Sequence, residues 1–213
     1  MYIFFLEANM KKVGIILRND NNLSCRKVKV LNNEIFDLLG EVIVLGIPTN
    51  FNNEINEYNR VKILIDECDG IILQGGDDVT DFDIKIAKYL YDNNIPTFGI
   101  CLGMQIMAVA INGELSDLHL ISHKSNKKYV HSVFIDKNSK FYNIIKQEKI
   151  SVNSRHKDYI LKTDLDIVGY SEDNIPEIIE DKSKKFFIGV QWHPESLNDL
   201  NSKILFNEFI KNL

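Results

Sequence analysis

An open, mostly parallel α/β sheet with helices on both faces is the fold class this sequence predicts, and three observations predict it. Short apolar runs at 13–17, 70–73 and 96–100 are bounded by turn residues, as strands buried on both faces are. Between them, segments such as 56–67 and 81–91 carry apolar residues at helical spacing. From residue 114 onward the pattern changes to short extended runs and turns, which predicts antiparallel additions in the second half. Strands that alternate with helices pair in parallel through right-handed crossovers, so helices cover both faces.

Taken in order, 13–17 is a strand, 26–39 an amphipathic helix closed by Gly40, and 42–45 a second strand. A helix at 56–67, a strand at 70–73, a helix at 81–91 and a strand at 96–100 follow. The helix at 104–111 is apolar nearly all round, hence buried, and stops at Asn112-Gly113, a pair suited to a left-handed cap. Extended runs are expected at 130–135, 150–153, 167–170, 177–179 and 186–190, with a polar loop at 124–128 and a closing amphipathic helix at 200–213. No internal repeat and no dividing linker interrupts the series.

Composition fits this plan. The chain has 213 residues, 45% hydrophobic and 26% charged, enough for one sizeable core, so a single domain spanning 1–213 is expected. A net charge of −5 gives no electrostatic footprint for nucleic acid. Three cysteines far apart argue against a disulfide scaffold and for a reducing compartment. Tyr2-Ile3-Phe4-Phe5-Leu6 is too short to span a bilayer and lacks a signal-peptide pattern, so the expected location is cytoplasmic, with no membrane partner. Met10-Lys11-Lys12-Val13 is a natural start for the first strand, which makes 1–9 a loosely packed extension.

The chemistry centres on Gly99-Ile100-Cys101-Leu102-Gly103-Met104-Gln105, where a strand turns sharply into a helix. Glycines on both sides of Cys101 remove the Cβ atoms that would clash where the two backbones close up, and the bend exposes the thiol at the strand's carboxyl end. Ligands of such sheets bind at that end. The amino end of the following helix favours a thiolate. An ordinary buried cysteine would look the same in this motif alone.

A second segment shifts the balance. In Gln191-Trp192-His193-Pro194-Glu195, Pro194 disfavours helical geometry at His193, and residues two apart in extended chain face the same way. His193 can then act as general base toward Cys101 while Glu195 holds the imidazole's orientation and tautomer. Leu73-Gln74-Gly75-Gly76-Asp77 adds a glycine turn whose N–H groups can approach a ligand closely. His119, His123, His131 and His156 stand in no metal-spaced cluster, so no metal and no other cofactor is expected.

The paired motifs around Cys101 and His193 resemble the class I glutamine amidotransferase-like superfamily, with its flavodoxin-like sheet, whose members hydrolyse the γ-amide of glutamine or γ-glutamyl compounds. The resemblance implies a catalytic triad of Cys101, His193 and Glu195, an oxyanion hole formed by the N–H groups of Gly76 and Leu102, and glutamyl contacts from Gly75 and Gln105. Ser151-Val152-Asn153-Ser154-Arg155-His156 is similar to the Val-Asn-Ser-x-His segment of the γ-glutamyl hydrolase branch. By that likeness Asn153, Ser154, Arg155 and His156 belong to the substrate site, with His131 and Ser132 along the glutamyl part. Leu102, Lys157-Asp158 and Gln74 depart from the branch's usual arginine, His-Gln and proline.

Arg155 and Lys157 could hold an anionic group beyond the scissile amide, although solvated surface charge explains them equally simply. Such a pair would suit γ-glutamyl-CDP-amidate, the substrate of one hydrolase type in capsule phosphoramidate synthesis. Two functions therefore stand open. The first is a free-standing hydrolase of a small γ-glutamyl compound, favoured by the Val-Asn-Ser-x-His segment and the absence of a fused synthetase. The second is a glutaminase subunit delivering ammonia to a separate synthetase partner.

Overall fold

The computed structural model describes residues 10–20, 28–49, 55–119 and 123–213. The expectations for 1–9, and for the first two residues of the 26–39 helix, lie outside that set. The first strand, β1 (Lys12–Ile16), is followed by a hairpin of β2 (Arg18–Asp20) and β3 (Val28–Val30), a 3-10 turn at Asn33–Ile35, α1 (Phe36–Leu39) and β4 (Ile43–Ile47). Next come α2 (Ile55–Asp66), β5 (Gly70–Leu73), α3 (Asp81–Asp92), β6 (Thr97–Ile100) and α4 (Leu102–Ala110). The second half adds β7 (Glu114–Asp117), β8 (His131–Ile135), α5 (Lys140–Ile145), β9 (Lys149–Val152), β10 (Asp158–Lys162), β11 (Asp166–Ser171), β12 (Pro176–Glu180), β13 (Phe187–Val190), α6 (Pro194–Leu197) and α7 (Leu200–Lys211).

Nine strands form one sheet in the order β4-β1-β5-β6-β13-β12-β11-β8-β9. From β4 to β13 the neighbours are parallel, and from β13 through β12 to β9 they are antiparallel. The expected sheet and its second-half additions are both present. Side-chain alternation divides the core. Ile72, Phe98, Ile188 and Val190 join one cluster with Leu205, Phe206 and Phe209 of α7, and Ile71, Leu73 and Phe187 join another with Ile86 of α3 and Met104 and Met107 of α4. Phe98 meets Phe206 edge-on at 5.2 Å between ring centroids. Burying each ring contributes about 2–3 kcal/mol.

The long helix expected over 26–39 is not what forms. Val28 and Val30 pair with Asp20 and Arg18 in a hairpin, and only Asn33–Ile35 and Phe36–Leu39 turn helically. Two β-branched residues in alternation favour the strand. Asn32 then starts the turn by accepting the Glu34 N–H, and Gly40 ends α1 at φ 60° as expected.

One pairing positions the site. β6 and β13 lie side by side in parallel, Ile100 opposite Val190, so the residues that follow each strand emerge together at the carboxyl edge. The Cys101 N–H donates to the Val190 carbonyl at 2.8 Å and extends the pairing one residue beyond the strands.

Candidate active site

Cys101 caps α4 at φ 52° and ψ −107°, a positive-φ conformation that a side chain adopts only under constraint. The constraint comes from its glycine neighbours. A Cβ at Gly103 would lie 1.8 Å from the Leu73 carbonyl oxygen, and one at Gly99 would lie 2.3 Å from Met107 Sδ and 2.8 Å from the Met104 nitrogen. Strand and helix pack too tightly there for any side chain, and the bend holds the thiol at the sheet's edge. At the far end of α4, Asn112 takes φ 57°, the left-handed cap expected of it.

His193 follows β13 through Gln191 and Trp192, with φ −108° and ψ 86°, ahead of Pro194 at the start of α6. Glu195 lies in the first turn of that helix, not in extended chain, yet its Oε1 is 2.7 Å from His193 Nδ1. The other ring edge faces the sulfur. Burial opposes a charge on this ring, but hydrogen bonds to Cys101 and Glu195 outweigh it and raise the His193 pKa to about 10. The imidazole therefore holds its proton through neutral pH. Gly75 fits between them: a Cβ there would be 2.8 Å from His193 Cε1 and 3.7 Å from Cys101 Cβ. Gly76 lies beside Leu102, where a Cβ would meet Leu102 Cδ2 at 2.9 Å. Leu102 opens α4, so its N–H is among the first-turn donors that have no acceptor within the helix.

A second layer of polar groups holds these residues, and sequence reasoning missed most of it. Asn32 Nδ2 donates to Glu195 Oε1 at 3.1 Å, and the Asn32 N–H donates to Gln74 Oε1 at 2.8 Å. Gln74, buried where relatives of the γ-glutamyl hydrolase branch carry proline, donates from Nε2 to the carbonyls of Ile16 and Val30. Gln191 Nε2 is 3.6 Å from Cys101 Sγ, and Gln191 Oε1 accepts from Gln105 Nε2 at 3.1 Å. Arg18 reaches across from β2 to Asp83 at 2.7 Å, with its buried Nη2 unpartnered, and lines a cavity of ≈ 280 Å³ with Leu102, Asp77, Asp78 and Thr80. Only its place after β1, at the carboxyl edge, could have flagged Arg18.

The expected substrate residues divide. Gln105 is buried, with Nε2 held by the Asp158 carbonyl at 2.9 Å as well as by Gln191. Asn153 uses both ends of its amide on the backbone of His193. Ser154 is buried and donates to the His123 carbonyl at 2.8 Å. Arg155 is exposed, 3.2 Å from Ser196 Oγ, and Lys157 stands 3.8 Å from Asp78 across the glycine turn. Ser132 lies on β8 opposite Ser151, toward the sheet's outer edge.

His131 and His156 correct the sequence expectation. Together with His123 and Glu177 they form a cluster whose donor atoms all lie within 4.8 Å of one another. Residues too irregularly spaced for a local metal motif are gathered by the fold, so the absence of such a motif does not carry the inference of no metal. Burial pushes the His123 ring toward its neutral form, against the pull of a hydrogen bond to Asp173.

This fold and this arrangement define a class, the α/β enzymes that hydrolyse carbon–nitrogen amide bonds. More particularly, the chain belongs to the family described as Glutamine amidotransferase class-I, which it matches over residues 28–212. It is 34% identical over 152 residues to the glutamine-hydrolyzing subunit of GMP synthase from Picrophilus torridus, covering 68% of this chain and 77% of that protein. It is 31% identical over 199 residues to the CTP synthase of Bacteroides fragilis, covering 77% of this chain and 36% of the synthase, so it spans only about a third of that relative's length. In three dimensions, the glutaminase domain of Trypanosoma brucei CTPS with bound acivicin superposes with a TM-score of 0.72 at 17% identity, over 95% of this chain and 94% of that one. That likeness extends the shared fold over nearly the whole chain. Among the described residues no helix is long and apolar enough to cross a membrane.

Proposed function

We propose that the chain hydrolyses a γ-glutamyl amide through a covalent thioester on Cys101, with glutamine as the amide and a separate synthetase as the recipient of its ammonia. One observation carries the chemistry. Cys101 and the His193–Glu195 pair meet at Gly75, where only a glycine leaves the imidazole its place. The relatives support the choice of substrate, since the Picrophilus and Bacteroides proteins are both named as synthases, and the Picrophilus protein is a separate glutamine-hydrolyzing chain.

The sulfur attacks the γ-carbonyl carbon, and the carbonyl oxygen gains negative charge. Leu102 N–H, backed by the α4 dipole, and Gly76 N–H are the donors placed for it, and removing one such donor typically slows a reaction about 10²–10³-fold. Protonated His193 gives its proton to the departing nitrogen, the C–N bond breaks, and the thioester remains. The neutral ring next takes a proton from water, whose oxygen attacks the thioester; glutamate leaves and the sulfur regains its place beside the ring. Glu195 keeps the Nδ1 edge occupied throughout, so Nε2 is the nitrogen that exchanges protons with sulfur and substrate.

A second reading rests on the cationic side chains near the glycine turn. Lys157 beside Asp78, Arg155 beside Ser196, and buried Arg18 with a free Nη2 favour a free-standing hydrolase whose leaving group is anionic, such as γ-glutamyl-CDP-amidate. Assaying the isolated protein against glutamine, simple γ-glutamyl amines and γ-glutamyl-CDP-amidate separates the two. Weak glutaminase activity that a synthetase stimulates supports the first; strong unaided cleavage of the nucleotide-linked amide selects the second. No cleavage of any γ-glutamyl amide, with or without a synthetase, sinks both.

A further inference from the structure

We propose that His123, His131, His156 and Glu177 form a zinc site, a closed centre of three imidazoles and one carboxylate next to the candidate active site but not part of it. The four residues come from separate segments: the loop before β8, the start of β8, the turn between β9 and β10, and the start of β12. His123 and His156 are 1% and 4% exposed and Glu177 is fully buried.

The distances suit a tetrahedral ion. Glu177 Oε1 is 3.4 Å from His131 Nε2 and 3.6 Å from both His123 Nδ1 and His156 Nε2. His123 Nδ1 and His156 Nε2 are 3.1 Å apart. Ligands about 2.0–2.1 Å from a tetrahedral zinc are separated from one another by about 3.3 Å.

The far side of each ring fixes which atoms face inward. His123 Nε2 lies 3.0 and 3.1 Å from the two Asp173 carboxylate oxygens, so its N–H points there and Nδ1 keeps a lone pair. His156 Nδ1 lies 2.9 Å from the Asp158 carbonyl, which leaves the Nε2 lone pair inward. His131 Nδ1 is 3.4 Å from the Ser132 carbonyl. Metal-bound histidines are oriented by such outward acceptors.

Electron-rich atoms thus converge on one point with nothing between them. Both Glu177 oxygens and His131 Nε2 are buried and have no hydrogen-bond partner. A buried carboxylate is tolerated when a cation neutralises it, and facing lone pairs repel unless something positive lies between them. Imidazole and carboxylate without thiolate suit zinc or a neighbouring divalent transition metal, whereas magnesium and calcium prefer oxygen alone. Four protein ligands leave no open position, so the ion would act structurally.

Its location gives that role a purpose. The Glu177 carbonyl accepts the Gln191 N–H at 2.9 Å, two residues before His193, and His156 is three residues after the Asn153 that grips His193. The metal would hold both supports of the imidazole in place.

The test uses the full chain purified with a tag free of histidine, and reads metal content by elemental analysis. About one zinc per chain is expected, either as purified or after the apoprotein is given Zn²⁺ and desalted. Replacement by Co²⁺ should give the intense visible bands of four-coordinate cobalt. Glu177→Gln and His131→Gln should each lower metal content at least tenfold, whereas His119→Gln, in the exposed loop after β7, should keep it. Failure of the wild-type chain to retain zinc after reconstitution overturns the proposal, as does full metal content in both ligand variants. A weak six-coordinate cobalt spectrum overturns the closed site. If either variant fails to fold, the wild-type stoichiometry and cobalt spectrum decide alone.

Discussion

The side-chain amide of Asn153 holds the backbone of His193 at both ends: Oδ1 accepts the His193 N–H and Nδ2 donates to the His193 carbonyl, each at 2.8 Å. A residue at the end of β9 thereby sets the position of an imidazole that follows β13. Asn153→Ala removes both bonds and leaves a buried N–H and carbonyl without partners, at a cost of about 2–3 kcal/mol. Because a small displacement of a reacting group is expensive, kcat should fall about 10²-fold with KM little changed. Asn153→Asp keeps the acceptor and loses the donor, and should fall between. Steady-state kinetics and thermal melts check this; a wild-type kcat in Asn153→Ala refutes it.

Gly103 is the least replaceable glycine at the elbow. With an added Cβ 1.8 Å from the Leu73 carbonyl oxygen, α4 cannot keep its distance from β5. Gly103→Ala should destabilise the protein by about 3 kcal/mol or more, since backbone and not a flexible side chain stands in the way. Denaturant unfolding measures it, and a loss below about 1 kcal/mol would contradict the packing described.

Cys101 stands at φ 52°, where a Cβ costs about 1–2 kcal/mol that glycine avoids. Cys101→Ala and Cys101→Gly should both abolish amide hydrolysis and both fold. Glycine should be the more stable of the two by about 1 kcal/mol, against its usual rank within proteins. Wild-type turnover in either variant would refute the nucleophile, and the order of their melting temperatures tests the strain.

The His193 ring should titrate near pH 10, observable by NMR of its Cε1–H. A pKa above the ordinary 6.5 means that the charged ring adds to stability in full below that value and that this contribution is lost as pH rises through about 10. Cys101→Ala removes one of the hydrogen bonds that hold the proton, so the midpoint should move down. A wild-type midpoint near 6.5 would contradict the pairing.

Local features of this site were legible because local backbone geometry dictates them. Gly99, Cys101 and Gly103 specify a tight bend whatever lies elsewhere, and His193-Pro194-Glu195 brings an imidazole and a carboxylate together within one turn. The alternation of apolar runs and amphipathic segments sufficed for the parallel half of the sheet. What stayed hidden depends on residues brought from afar. The Val28 and Val30 pair favours a strand only because Arg18–Asp20 lies opposite, and α1 is short for the same reason. Asn32 and Gln74 look like ordinary turn and loop residues until the fold buries Gln74 and links Asn32 to Glu195. His123, His131 and His156 share no spacing, and Glu177 lies within an apolar run, so nothing in the linear order joins them.

The adjacency of β6 and β13 also governs when activity can arise during synthesis. A ribosome releases the bend carrying Cys101 long before the strand that delivers the imidazole. Through that interval the thiol has no base and no proton donor, and the cell contains no half-made amidase. Hydrolysis becomes available only when β13 inserts next to β6, so completion of the central sheet and the onset of catalysis are one event.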